Sequence, residues 1–280
     1  MTTTHEMDTG TEPGRFDTAT GSRTTRLFGG ALLVGLVVLL WLAFVATDPD
    51  IRIDAASGDE IGQFDAVRLI YVHVPMAIVA YTAFAVTALG SVMVLLRRSV
   101  WWDIVAGASA ELGAVASALT LITGSIWGRP IWNTYWRWDD VRLMTTLVLF
   151  MLSLGYLAVR RLEGSAEARA KRAAIVGILL VVNSIIVNRS VEWWASQTLH
   201  QQSTITDAAI EDLTLFTFMY AILFGLAGYT WLLIKGFRVA WLERQNERFG
   251  LVEALEQRRA EADHTEAVNA AVDTGTGDKS

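Results

Sequence analysis

The chain has no cysteine. Disulfides, thiolate metal sites, iron–sulfur ligation and cysteine nucleophiles are therefore excluded, and any redox chemistry would need a borrowed cofactor. Proline is scarce, with four in 280 residues, and so is histidine, also four. No G-x-x-x-x-G-K-[ST] loop occurs, so work driven by ATP would fall to a partner. The net charge of -6 comes from acids gathered before Arg26 and after Gly236. No basic stripe for phosphate is present, which argues against nucleic acid as a partner. Residues 1–22 are rich in Thr, Gly, Asp and Glu, with no apolar run leading to a small-residue cleavage site. They read as a tail and not as a signal peptide.

What the chain does have is apolar length. Hydrophobic residues make up 52 % of it and the mean hydropathy is positive, which points to a bilayer as solvent. A helix needs about 20 largely apolar residues to cross roughly 30 Å of hydrocarbon. Six stretches qualify, at about 27–47, 69–96, 103–126, 141–159, 173–190 and 213–235. Backbone polar groups in lipid must be satisfied internally, and ten-residue alternating strands are lacking, so a barrel is disfavoured. The expected class is an all-α integral membrane protein, a six-transmembrane-helix bundle with an external Trp-rich loop. The expected organisation is a disordered cytoplasmic tail (1–26), a membrane domain (27–236) and a cytoplasmic C-terminal helix with a disordered tail (237–280).

Lys and Arg near the span ends number fourteen on one side and six on the other. The excess marks the cytoplasmic side, so both termini are expected inside and three loops outside, at about 48–68, 127–140 and 191–212. The chain is thus expected to be multi-pass in the cytoplasmic (inner) membrane. Beyond Phe237, Leu242, Phe249, Val252 and Leu255 are spaced along a charged segment, either a helix that docks a partner or a solvated extension.

The second outer loop, "SIWGRPIWNTYWRWDD", carries Trp127, Trp132, Tyr135, Trp136 and Trp138, flanked by Arg129, Arg137 and Asp139. An ordinary aromatic belt accounts for Trp41, Trp101, Trp102 and Trp241. It does not demand this clustering, to which Trp193 and Trp194 of the third outer loop add. His73 and His200 are expected near the same membrane edge, whereas His5 and His264 sit in polar tails. Two histidines without a carboxylate cluster fit a zinc site poorly. They fit an iron already held by four porphyrin nitrogens, to which protein supplies two axial ligands. Indole rings can cover such a flat disc, and arginines can pair with its two carboxylates.

Three segments, "TGSIWGRPIWNTYWRWDD", "RLIYVHVPMAIVAY" and "VEWW…TLHQ", resemble the haem exporter protein C (CcmC) family of cytochrome c biogenesis, Trp-rich proteins of the WWD type. The likeness covers about residues 27–236. It implies six membrane helices and haem held on the extracytoplasmic side between axial His73 and His200 and the Trp-rich loop. It also implies delivery to a CcmE-like haem chaperone, in company with ABC-transporter-type ATPase and permease subunits and a small membrane subunit. The signature residues by position are Trp127, Trp132, Trp136, Trp138 and Asp139. Arg142 stands one residue beyond the usual spacing after the Trp-Asp pair.

The resemblance implies a haem-transfer protein and not an enzyme. Three other readings compete. One is a haem-attaching cytochrome c synthetase-type protein, though such relatives are longer and carry further histidines. A second is a b-type cytochrome, which would need histidine pairs inside facing helices, and spans three to six contain none. The third is a permease subunit whose aromatic loop is only an interfacial anchor. Glu111, an acid expected inside span three, is explained by none of them; it either snorkels or pairs with Asn or Thr on a neighbour, or it contacts a partner helix or the haem route.

Overall fold

The computed structural model describes residues 23–200 and 212–276. Six helices follow one another: α1 (Arg23–Trp41, extended by a wide turn over Leu42–Ala46), α2 (Ile70–Arg97), α3 (Val100–Trp132), α4 (Val141–Arg161), α5 (Ala166–Trp193) and α6 (Asp212–Thr276). All six are long and apolar enough to cross a bilayer. Between α1 and α2 lies an antiparallel hairpin of β1 (Asp50–Ile53) and β2 (Glu60–Phe64), then a 3-10 turn over Asp65–Leu69. The protein is a multi-pass helical membrane protein.

One compact unit runs to Gly236 and a second covers Phe237–Ser280. In the first, α2 and α3 pack closely because glycine and alanine stand where the two helices touch. A Cβ on Gly113 would meet the Phe84 ring at 2.6 Å, and one on Gly90 would meet Ala106 at 2.9 Å. Small residues at such crossings let backbones approach where no hydrophobic force joins helices in lipid. Phe84, Leu149, Tyr156, Leu180 and Val187 fill the centre. Some buried hydroxyls join helices: Ser109 of α3 donates to the Ala83 carbonyl of α2 at 2.8 Å and lies 2.8 Å from the Tyr229 hydroxyl of α6. At the end rich in arginine, buried Asp103 of α3 pairs with Arg160 of α4 at 2.6 Å. The second unit continues α6 as a helix on which Leu242, Phe249, Val252 and Leu255 are all exposed.

Two boundaries depart from expectation. Helix α3 reaches Trp132, so Trp127, Arg129 and Trp132 are helical and only 133–140 form the loop. Pro130 lies in the last turn of α3, where its ring fixes a helical φ although it loses an N–H bond and crowds the carbonyl one turn back. The helix stops at Asn133, whose left-handed φ of 54° is a known helix-ending conformation. At the other end of the chain, Arg23 to Arg26 already belong to α1. Residues 1–22, including His5, lie outside the described residues, as do 201–211 of the third connection and the side chain of His264.

Candidate functional site

His73 sits one turn into α2, only 8 % exposed. Its Nδ1 lies 3.2 Å from Thr123 Oγ1, and that hydroxyl spends its proton on the Leu119 carbonyl at 2.7 Å. The threonine oxygen is therefore the acceptor and Nδ1 the protonated nitrogen, which leaves the Nε2 lone pair free for a ligand. Gly124 makes room for the ring: a Cβ there would come within 2.8 Å of His73 Cε1.

His200 arrives from the far end of the chain and meets His73 with ring centroids 6.3 Å apart and planes 16° from parallel. Trp127 stands edge-on to His73 at 5.7 Å, and Trp132 edge-on to His200 at 5.3 Å. Trp127 Nε1 also donates to Gln63 Oε1 at 3.0 Å, joining the hairpin to the site.

Asp140 holds the His200 segment in place. It is 2 % exposed. Its Oδ1 caps α4 by accepting from the Leu143 N–H at 2.9 Å, while its Oδ2 accepts from the Leu199 N–H at 2.7 Å. The Thr198 hydroxyl donates to it at 3.3 Å and accepts from the His200 N–H at 3.2 Å. Sequence reasoning had settled on Asp139 and missed this residue. The available signal was an acidic residue directly before the helical stretch "VRLMTT", a helix N-cap pattern.

A cleft lined by both imidazoles lies between α2, α3 and α4, with about 580 Å³ of empty space when the adjoining open solvent is counted. Trp132, Arg142, Tyr81 and Thr146 line it with both histidines. Arg142, the residue displaced by one from the family spacing, thus faces the cleft. Burial first, then the Arg142 guanidinium and then His73, push the His200 pKa down from 6.5 to about 3. Its imidazole is neutral at physiological pH, the form that binds a metal.

The other expected residues sit differently. Trp138 is 75 % exposed and Tyr135 60 %. Arg137 forms an ion pair with Asp139, both exposed, and the contact holds the Asp139 carboxyl below the usual range. Arg129 donates to the Asn133 carbonyl at 2.7 Å and lies over the Tyr135 ring. None of these five lines the cleft. Trp136 is half-buried, packed edge-on against Trp138 at 5.7 Å. Its indole N–H is buried with no acceptor among the described residues, an omission that native structures seldom leave unanswered. No group of three or more His, Asp or Glu suited to a metal occurs among the described residues.

The model of the heme exporter protein C family, CcmC, matches residues 7–250. A protein of Haemophilus influenzae named heme exporter protein C is 34 % identical over 220 residues, covering 78 % of this chain and 83 % of its own length. One from Bradyrhizobium diazoefficiens is 36 % identical over 151 residues, covering 54 % of this chain and 56 % of its own length. A Marchantia polymorpha protein, named as a putative cytochrome c biosynthesis ccmC-like mitochondrial protein, is 36 % identical over 175 residues, covering 61 % and 73 %. The chain thus spans little more than half the length of the Bradyrhizobium relative.

Proposed function

The chain belongs to the heme exporter protein C family, and from that premise we propose that it binds haem between His73 and His200 and passes it on for cytochrome c maturation. The observation that carries this reading is the meeting of two imidazoles 6.3 Å apart. Metal–imidazole bonds of about 2 Å place a ring centroid about 3 Å from the metal, so two rings sharing one metal lie about 6 Å apart. A third protein ligand is lacking among the described residues, which suits an iron whose equatorial positions a porphyrin already fills.

The residues present fit such a group. Thr123 fixes the His73 tautomer, Asp140 holds the His200 segment, and Trp127 and Trp132 wall the pair. Arg142 and the unpaired Trp136 N–H are the donors offered to haem propionates. Two neutral imidazoles would complete the iron coordination and so keep oxygen from it. Arg129, Arg137, Tyr135, Trp138 and Asp139 lie on the outer rim, where an acceptor would approach.

The orientation follows the arginine bias: both termini cytoplasmic, and the haem site on the extracytoplasmic side of the inner membrane. The acceptor is a CcmE-like haem chaperone, and ATP-driven steps belong to ABC-transporter-type subunits. In this reading the chain transfers haem and catalyses no covalent attachment. The test is the absorption spectrum of detergent-purified protein after haem addition. His73→Ala and His200→Ala should each abolish or shift the haem bands, while His5→Ala and His264→Ala leave them unchanged. Wild-type protein that acquires no haem spectrum would leave the aromatic residues as an interfacial anchor.

A further inference from the structure

Helix α3 is the most enclosed span of the bundle, yet one narrow face of it is open. Glu111, Val115, Leu119, Ile122 and Ile126 are all exposed. At 100° per residue they fall within about 80° of arc, and the cleft-lining Ser117, Thr120 and Gly124 lie on the opposite side. Ala108, one turn before Glu111, is covered by Gly236 of α6. The open face therefore starts at the carboxyl.

Glu111 lies nine residues from Trp102 and sixteen from Trp127, or about 14 Å and 24 Å along the axis. Wherever a hydrocarbon layer of about 30 Å is set between those tryptophans, the glutamate backbone is more than about 6 Å inside it. The side chain is too short to escape as a lysine would. Glu111 has no hydrogen bond or ion pair among the described residues. Arg160, which packs against Gly107 one turn earlier, is committed to Asp103 at 2.6 Å and lies against Tyr156. An exposed acid at this depth without an internal partner implies one outside the chain.

We propose that this face of α3 docks one transmembrane helix of another protein that carries a lysine or arginine at the depth of Glu111. Charge complementarity selects that occupant. A second copy of this chain related by a two-fold axis would set Glu111 against its own equivalent, and lipid tails offer it nothing. Val115, Leu119, Ile122 and Ile126 supply the apolar flank of the contact, and Ala118 at its margin allows close approach. The inference does not depend on haem binding.

The absence of cysteine makes the test clean. Val115→Cys or Leu119→Cys gives a single attachment point on the stripe, and Val182→Cys on α5 gives one elsewhere. The full chain is reconstituted in phosphatidylcholine vesicles with a designed Leu/Ala transmembrane peptide bearing a central lysine and one cysteine, or with the same peptide carrying leucine in place of lysine. Disulfide yield at 115 or 119 should be about tenfold higher with the lysine peptide. It should show no such preference at 182. Glu111→Leu should abolish the preference and Glu111→Gln reduce it, both variants keeping wild-type elution and helix content. Equal yields with the two peptides, or a preference that survives Glu111→Leu, overturn the proposal. Cross-links between copies at 115 without peptide overturn it in favour of a second copy.

Discussion

Replacing Asp140 by alanine should release His200 without touching it. The carboxylate is 2 % exposed and accepts from Leu143 N–H, Leu199 N–H and the Thr198 hydroxyl. Loss of a helix N-cap costs about 1 kcal/mol, and a hydrogen bond to a charged group about 1.5–3 kcal/mol. The cap falls on α4, which tertiary packing holds in place, whereas the bonds to Leu199 and Thr198 hold the His200 segment. That segment therefore loses about 3 kcal/mol, equivalent to about 150-fold in the population that places His200 beside His73. The apparent haem dissociation constant should rise by up to that factor. Haem titration of purified Asp140→Ala, followed by absorption, measures it directly. The same titration with Asp139→Ala should match wild type, because Asp139 is exposed and, among the described residues, its side chain is bound only to Arg137. Asp140→Asn keeps one acceptor oxygen and should fall between them. If Asp140→Ala binds haem as wild type does while His200→Ala does not, the carboxylate does not hold the histidine and the reasoning is wrong.

Gly124→Ala places a methyl 2.8 Å from the His73 ring; overpacking of about 1–3 kcal/mol should displace the imidazole and weaken haem binding. Gly30→Ala, with open space around it, is the control, and equal haem content in the two would refute the steric argument. Asp103→Ala leaves the part-buried Arg160 without its carboxylate and should lower stability in a denaturation series, by less than the loss of about 3–5 kcal/mol for a fully buried pair because the Tyr156 hydroxyl remains; a Leu–Leu replacement of the pair should recover much of that. His200 also sets a pH dependence. Its folded pKa of about 3 lies below the unfolded 6.5, so the unfolded segment binds the extra proton. Stability is full above pH 6.5 and is lost as pH falls towards 3, at about 1.4 kcal/mol per unit. Between pH 7 and pH 5 wild type should lose about 2 kcal/mol more than His200→Ala; equal losses would mean the imidazole is not held neutral by its surroundings.

The six spans were legible because a bilayer imposes length and apolarity on any helix that crosses it, and both can be read without knowing which helices touch. Pairing between distant segments has no such local signature. His73 and His200 could be assigned to one end of the bundle by counting crossings, yet their approach to 6.3 Å depends on a carboxylate at position 140 reaching the backbone at 199. Adjacent positions compound the difficulty: Asp139 and Asp140 are chemically identical, and only the start of α4 decides which one turns inward. The same start carries Arg142 into the cleft, two residues past the cap, despite its unusual spacing from the Trp-Asp pair. The tryptophans divide by a similar rule. Trp127 and Trp132 are fixed by α3, which continues through Gly128 and Pro130 and sets one indole against each imidazole. Trp138, in the short connection after Asn133, has no such scaffold and stays exposed. Composition alone could gather the aromatic residues into one stretch, but the helix boundary decides which of them meet the imidazoles.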